Sequence, residues 1–151
     1  MKVLLAMIFV LSTSLSAWGG WRPTEQEMTD LVRGLLYVQW YRPEFSNNRE
    51  AVYKTLKTYL ERGMDVESPS SDNMSLLANF ATIEWYRVGW QDEGRAFTDW
   101  DQKIFDLLLK YGADVNYSWI SPASNSRYNV LLETIDQRNL EMVKMLIKAG
   151  A

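Results

Sequence analysis

Apolar residues recur along most of this 151-residue chain at the three- and four-residue spacing that is typical of amphipathic helices. The two earliest stripes consist of Met28, Leu31, Val32, Leu35, Leu36 and Val38, and of Val52, Leu56, Tyr59 and Leu60. Thr24 and Glu27 make a capping-box pair before the first stripe, and Pro43 follows its end. Strand-like alternation is limited to short turn hairpins. The pattern predicts an all-α chain of about six helices.

The first seventeen residues follow a different pattern. Lys2 precedes a nine-residue apolar run, which is followed by small residues up to Ala17. This order is typical of a secretory signal, and about 14 Å of helix is too short to span about 30 Å of hydrocarbon. We expect cleavage after Ala17, one domain over 18–151, and no stable membrane insertion after cleavage. The absence of cysteine favours the bacterial periplasm, with secretion into the medium as the alternative.

Three apolar helical segments end in the same way. Gly63, Gly112 and Gly150 each follow such a segment, at a position where a helix often needs a left-handed residue. The first two glycines are followed by an Asp-Val-Glu or Asp-Val-Asn turn one residue later. This recurrence indicates an internal repeat, although the glycines lie 49 and 38 residues apart.

The segments at 140–150 and 112–116 resemble the second helix and the turn of the ankyrin repeat, whose period is about 33 residues. In that family's register Ser75 and Asn129 open the first helices of two repeats, and we expect both to cap them. The residues that exceed the family's period of about 33 then form two insertions, one near 84–99 and one after Gly112. Neither helix opening has the family's Thr-Pro pair or its His. The resemblance covers 49–151 and implies an ankyrin-like helical-hairpin solenoid of about three repeats, at 24–67, 75–116 and 129–151.

Composition narrows the chemistry that the chain can perform. There is no Cys and no His, which excludes thiol nucleophiles, Ser-His and Cys-His dyads and nearly every zinc site. The net charge of -3 provides no basic field for nucleic acid phosphates. We therefore expect no cofactor, no metal and no nucleic-acid partner.

Carboxylates are the remaining catalytic candidates. A cluster in and beside the second-repeat insertion contains Glu84, Asp92, Glu93, Asp99 and Asp101. Two such carboxylates can act together as acid and base to hydrolyse a glycan. A carboxylate-based glycan hydrolase is therefore a distant alternative. However, the segment from Thr98 to Asp101 stands where a helix begins, so we expect its two acids, Asp99 and Asp101, to cap backbone amides there. The spacing of Asp65, Glu67 and Asp72 does not match a calcium-binding EF-hand.

Candidate partner contacts come from two sources. Aromatic and arginine side chains, which supply large contact areas at interfaces, concentrate in and beside the insertion at Trp85, Tyr86, Arg87, Trp90, Arg95 and Trp100. The alternative is that these rings form a satellite core. The ankyrin resemblance implies a binding face at the turn tips, at Asp65, Glu67, Asp72, Asn73, Asp114, Asn116, Tyr117 and Trp119. For Asp114 and Asn116 the alternative role is to bond nearby backbone amides.

These observations predict an exported, non-enzymatic ankyrin-like protein that binds a protein partner. The preferred version is a periplasmic inhibitor or immunity protein for an enzyme or toxin, and the alternative is a secreted effector that binds a host protein. The last helix has little polar surface. Either the side of this helix that carries Lys144 and Lys148 faces water, or a partner or a second copy covers the helix. A homodimer is therefore one of the alternatives.

Overall fold

The computed structural model describes residues 21–36, 49–70, 72–82 and 97–151. The expected signal at 1–17 and most of the expected insertion at 84–99 lie outside these residues. The elements in chain order are α1 (Glu25–Leu36), α2 (Arg49–Glu61), α3 (Leu76–Ala81), α4 (Asp99–Lys110), β1 (Ser118–Ile120), β2 (Arg127–Asn129), α5 (Val130–Asp136) and α6 (Leu140–Lys148). The described part of the chain is therefore mainly helical, with one small antiparallel hairpin. None of the helices in these ranges is long and apolar enough to cross a membrane.

The core lies around the short helix α3, in which all six residues are buried. This helix contacts α1, α4 and α5, while α2 packs against α1 and α4, and α6 packs against α5. The largest fully buried apolar side chains come from every helix, and they are Leu35, Leu56, Leu76, Leu77, Phe80, Ile104, Leu108, Val130, Met142 and Leu146. The helical stripes in the sequence thus converge on one shared core.

Side-chain caps begin the helices where the sequence predicts them. The Thr24 and Glu27 side chains each accept the other residue's backbone N–H, as in a capping box. Ser75 accepts a hydrogen bond from the backbone of the third residue beyond it. Asn129 accepts two such bonds at the start of α5. The predicted caps at Ser75 and Asn129 are confirmed.

The three recurrent glycines all end helices in one geometry. Their φ angles are +93°, +89° and +104° for Gly63, Gly112 and Gly150, which is the region that side chains disfavour. Each glycine N–H donates to the carbonyl three residues earlier, and the next N–H donates to the carbonyl five residues earlier, at 2.9–3.1 Å. This is the Schellman motif. The prediction of left-handed glycines at these helix ends is confirmed.

A buried ion pair connects the helices around the core. Arg49 Nε lies 3.2 Å from Asp101 Oδ1, and the two side chains are 4% and 0% exposed. Arg49 Nη1 also donates to the Leu35 carbonyl at 3.2 Å, and its guanidinium lies 5.9 Å from the centroid of the Phe80 ring. The other oxygen of Asp101 accepts the backbone N–H and the hydroxyl of Thr98. One arginine and one aspartate therefore link α1, α2, α3 and the start of α4.

We predict that Arg49→Met lowers the free energy of unfolding by about 3–5 kcal/mol, because it leaves the Asp101 carboxylate buried without its countercharge. Urea denaturation at neutral pH measures this loss. Lys54→Met is the matched control, since it breaks the exposed pair with Glu50 on the same helix and should cost less than about 1 kcal/mol. Equal losses for the two variants would contradict the structural role of the buried pair.

Candidate partner-binding surface

Two turns of the same construction follow α2 and α4. In the first, Asp65 Oδ1 accepts the Glu67 N–H at 3.0 Å, and in the second, Asp114 Oδ1 accepts the Asn116 N–H at 2.8 Å. In both turns the aspartate carbonyl also accepts a backbone N–H from three residues beyond. Short aspartate side chains suit this geometry because they can mimic a backbone turn. The alternative role predicted for Asp114, bonding a nearby amide, is confirmed.

Side chains at matching positions connect successive turns. Glu67 and Asn116 each stand four residues after a turn glycine. Glu67 Oε1 accepts the Asp114 N–H at 2.7 Å, and Asn116 Nδ2 lies 3.5 Å from the Gly150 carbonyl oxygen, at the limit of a hydrogen bond. We call the residues 63–68, 112–117 and 150 the turn ridge. Its three parts are joined across 47 and 34 residues of sequence.

Glu67 has an unusual electrostatic environment within the turn ridge. Its Oε2 atom is buried and has no hydrogen-bond partner among the described residues. Burial raises the pKa of this carboxyl, the hydrogen bond from Asp114 opposes the rise, and the charges of Asp114 and Asp65 add to it. Burial, followed by the Glu67 charge, also raises the pKa of Tyr117. The turn ridge thus concentrates negative charge at a partly dehydrated position.

The β1–β2 hairpin adjoins the turn ridge through stacked rings. Trp119 lies between Tyr117 and Tyr128, with ring centroids 6.3 and 5.7 Å away and interplanar angles of 21° and 19°. Trp119 is only 7% exposed. The Tyr117 hydroxyl donates to the Asn73 carbonyl at 2.8 Å, which fastens the hairpin to the turn before α3. The structure therefore gives Trp119 a packing role, and its ring has little surface left for a partner.

The other sequence candidates have different positions. Asp65, Asp72, Asn73, Asp114 and Asn116 are exposed, whereas Glu67 and Tyr117 are half-buried. The candidates Trp85, Tyr86, Arg87, Trp90 and Arg95 lie outside the described residues. The structure thus brings together the turn candidates.

Trp100 lies away from the turn ridge, at the start of α4. Its ring centroid is 5.5 Å from that of Tyr53 on α2, and Lys103 Nζ lies 4.0 Å from its centroid. These contacts account for the half-buried state of the ring by packing between two helices. Trp100 is therefore separate from the other described candidates.

The carboxylates near α4 act at the start of the helix. Thr98 Oγ1 accepts the Asp101 N–H at 3.3 Å, while Asp101 Oδ2 accepts the Thr98 N–H at 2.9 Å. The predicted capping role is confirmed for Asp101, while Asp99 lies in the first turn of α4. Within the described ranges, no group of three acidic side chains is arranged to hold a metal ion.

One surface feature was missed by the sequence reasoning. A groove of about 190 Å³ lies between α1 and α2, with Leu31, Gly34, Val52 and Tyr59 among its lining residues. Gly34 allows this close approach, because a Cβ there would lie 3.2 Å from a Val52 methyl group. The glycine within an apolar helical stripe was the available signal. A second surface feature is a set of exposed apolar side chains on α5 and α6. The sequence indicated little polar surface on α6 but did not single out the apolar residues of α5.

We predict that Glu67→Gln is more stable than the wild type at pH 7. The folded chain binds the Glu67 proton more tightly than the unfolded chain, whose ordinary pKa is 4.5, so the ionised carboxylate opposes folding at neutral pH. This opposition disappears as the pH falls through the folded pKa towards 4.5. The glutamine oxygen retains an acceptor for the Asp114 N–H.

Urea denaturation between pH 4 and 8 measures the difference in free energy of unfolding. The stabilisation by Glu67→Gln should be greatest at neutral pH and should shrink as the pH falls. Glu61→Gln, at an exposed position on α2, is the control and should not show this pattern. A glutamine variant that is less stable than wild type at pH 7, with a deficit that grows with pH, would contradict the account.

Comparisons with protein-family models, with curated proteins and with solved structures gave no match. The candidate surface therefore rests on the geometry of this chain. The positions of the turns, the hydrogen bonds between them and the charges that they present define this surface.

Proposed function

We propose that this protein is an exported, non-enzymatic binding protein built from ankyrin-like repeats, and that its turn ridge binds a basic surface of another protein. The preferred version is a periplasmic inhibitor or immunity protein for an enzyme or toxin. One observation carries the proposal, namely the bonded row of turns that presents exposed carboxylates.

Preorganisation of the turn ridge supports binding. The Glu67–Asp114 hydrogen bond joins two turns, and buried Met64 and Val66 anchor the first turn in the core. A surface that is ordered before it meets its partner loses less conformational entropy on binding. A fixed row of turns therefore suits recognition of a folded protein.

The charge of the turn ridge indicates the chemistry of the partner. Asp65, Glu67 and Asp114 are acidic, and neither segment 63–68 nor segment 112–117 contains Lys or Arg. The exposed Asp72 adds a further carboxylate to the turn that Tyr117 contacts. A basic surface of the partner complements this charge, which accelerates encounter and fixes orientation.

The repeat assignment and export rest on separate observations. Three helices end in the same Schellman geometry, and side chains at equivalent positions contact the next turn, which supports the proposal of a stacked repeat. Lys2, the apolar run and Ala17 have the order of a secretory signal. The engagement of Asp101 by Arg49 and Thr98 favours a structural role for that carboxylate over catalysis.

The test neutralises the turn ridge without removing its hydrogen bonds. In Asp65→Asn/Asp114→Asn, the amide oxygens can still accept the turn N–H groups while two charges are lost. We expect a partner captured from periplasmic and culture-medium extracts to present a basic surface and to bind this variant about tenfold more weakly. Isothermal titration calorimetry with the purified partner measures the change in the dissociation constant.

Asp30→Asn/Asp106→Asn is the matched control. It removes the same charge from exposed positions on α1 and α4, where both carboxylates accept side-chain amide bonds that asparagine can still accept. It should bind the partner as the wild type does. Equal weakening by both variants would move the site off the turn ridge, and a chain that captures no protein would overturn the proposed function. If the chain and its partner are found in the periplasmic extract, the periplasmic version is favoured. If the chain is found in the culture medium, the secreted effector is favoured.

A further inference from the structure

The outer side of the α5–α6 hairpin carries large apolar side chains in contact with solvent. Leu132, Ile135, Leu140 and Ile147 are 67%, 51%, 62% and 57% exposed. We call these four residues the outer face. Single exposed apolar residues are common on proteins, but a group on two adjacent helices is typical of an interaction surface.

The outer face is a consequence of how the hairpin packs. On α5, Val130 and Thr134 are buried, and Leu132 projects from the opposite side of the helix. On α6, Met142 and Leu146 are buried, while Leu140 and Ile147 stand seven residues apart and share another side. The hairpin is therefore apolar on two sides, and the described core covers only one of them.

The charges at the two ends of α6 suit pairing with an identical helix. Glu141 lies next to Leu140 at the start of α6, and Lys148 lies next to Ile147 at its end; both are exposed. Lys144, between them, contacts Glu141 at 2.7 Å. If two copies of α6 pack antiparallel, the acidic end of each helix meets the basic end of the other. The opposed helix dipoles also favour this arrangement.

We propose that the outer face binds a second copy of this chain, with the two α6 helices antiparallel about a two-fold axis. A two-fold interface uses the same patch on both copies, so the patch must complement itself. The outer face meets this condition because its Leu140–Ile147 stripe has opposite charges at its two ends. The interface does not depend on the proposed function, and its charged end at Lys148 lies two residues before Gly150 of the turn ridge. The patch consists of four side chains, which indicates a weak dimer whose interface is at the small end of the range for specific contacts.

The test uses sedimentation velocity on the full chain and its variants over a range of concentrations. Lys148→Glu gives α6 acidic residues at both ends, and Glu141→Lys gives it basic residues at both ends. Each variant alone should dimerise about tenfold more weakly, because like charges meet in the interface. An equimolar mixture of the two should regain dimerisation, since acidic ends then meet basic ends.

Apolar substitutions provide the second arm. Leu140→Ser/Ile147→Ser should abolish dimerisation, whereas Ile120→Ser, at another exposed apolar position on β1, should leave it unchanged. Circular dichroism verifies that each variant keeps its helix content. A wild-type chain that stays monomeric up to about 0.5 mM overturns the proposal. Self-association that survives Leu140→Ser/Ile147→Ser, or charge variants that fail to associate when mixed, also overturns it.

Discussion

The buried contact between Arg49 and Asp101 is the constraint on which the arrangement of the first four helices depends. Both charges are removed from water, so each needs the other, together with the Leu35 carbonyl and the Thr98 cap. An arginine suits this position because its guanidinium can contact an acid, a carbonyl and a ring simultaneously. Apolar contacts between α2 and α4 have little directionality, whereas this polar contact favours the arrangement in which the two charges meet.

That arrangement determines where the turns lie. α2 and α4 pack side by side and end in the same Schellman geometry, so the turns that follow them are neighbours. The Glu67–Asp114 hydrogen bond then joins these turns, and the stacked rings of Tyr117 and Trp119 follow the second turn. Helix packing thus brings together the turns that form the acidic surface proposed for recognition. At the outer face, by contrast, the same packing leaves an apolar side of α5 and α6 uncovered.

Much of the fold could be predicted from local sequence. Caps such as Ser75 and Asn129, and the left-handed glycines, depend on interactions within a few residues, and the structure confirms them. The Arg49–Asp101 pair could not be predicted, because its partners lie 52 positions apart and either residue alone is compatible with a helix surface. Trp119 illustrates the same limit. Its position in the ankyrin-like turn suggested a contact surface, whereas its burial and its stacking on Tyr117 and Tyr128 assign its ring to the core.

Amide hydrogen exchange at Asp114 measures whether the turns form one preorganised surface. We expect the Asp114 N–H to exchange at least about tenfold more slowly than in an unstructured peptide, and we expect Glu67→Ala to remove this protection. The Tyr111 amide, which bonds within α4, should stay protected in both chains. An Asp114 amide that exchanges freely in the wild type, or that remains equally protected without the Glu67 carboxylate, would contradict the account.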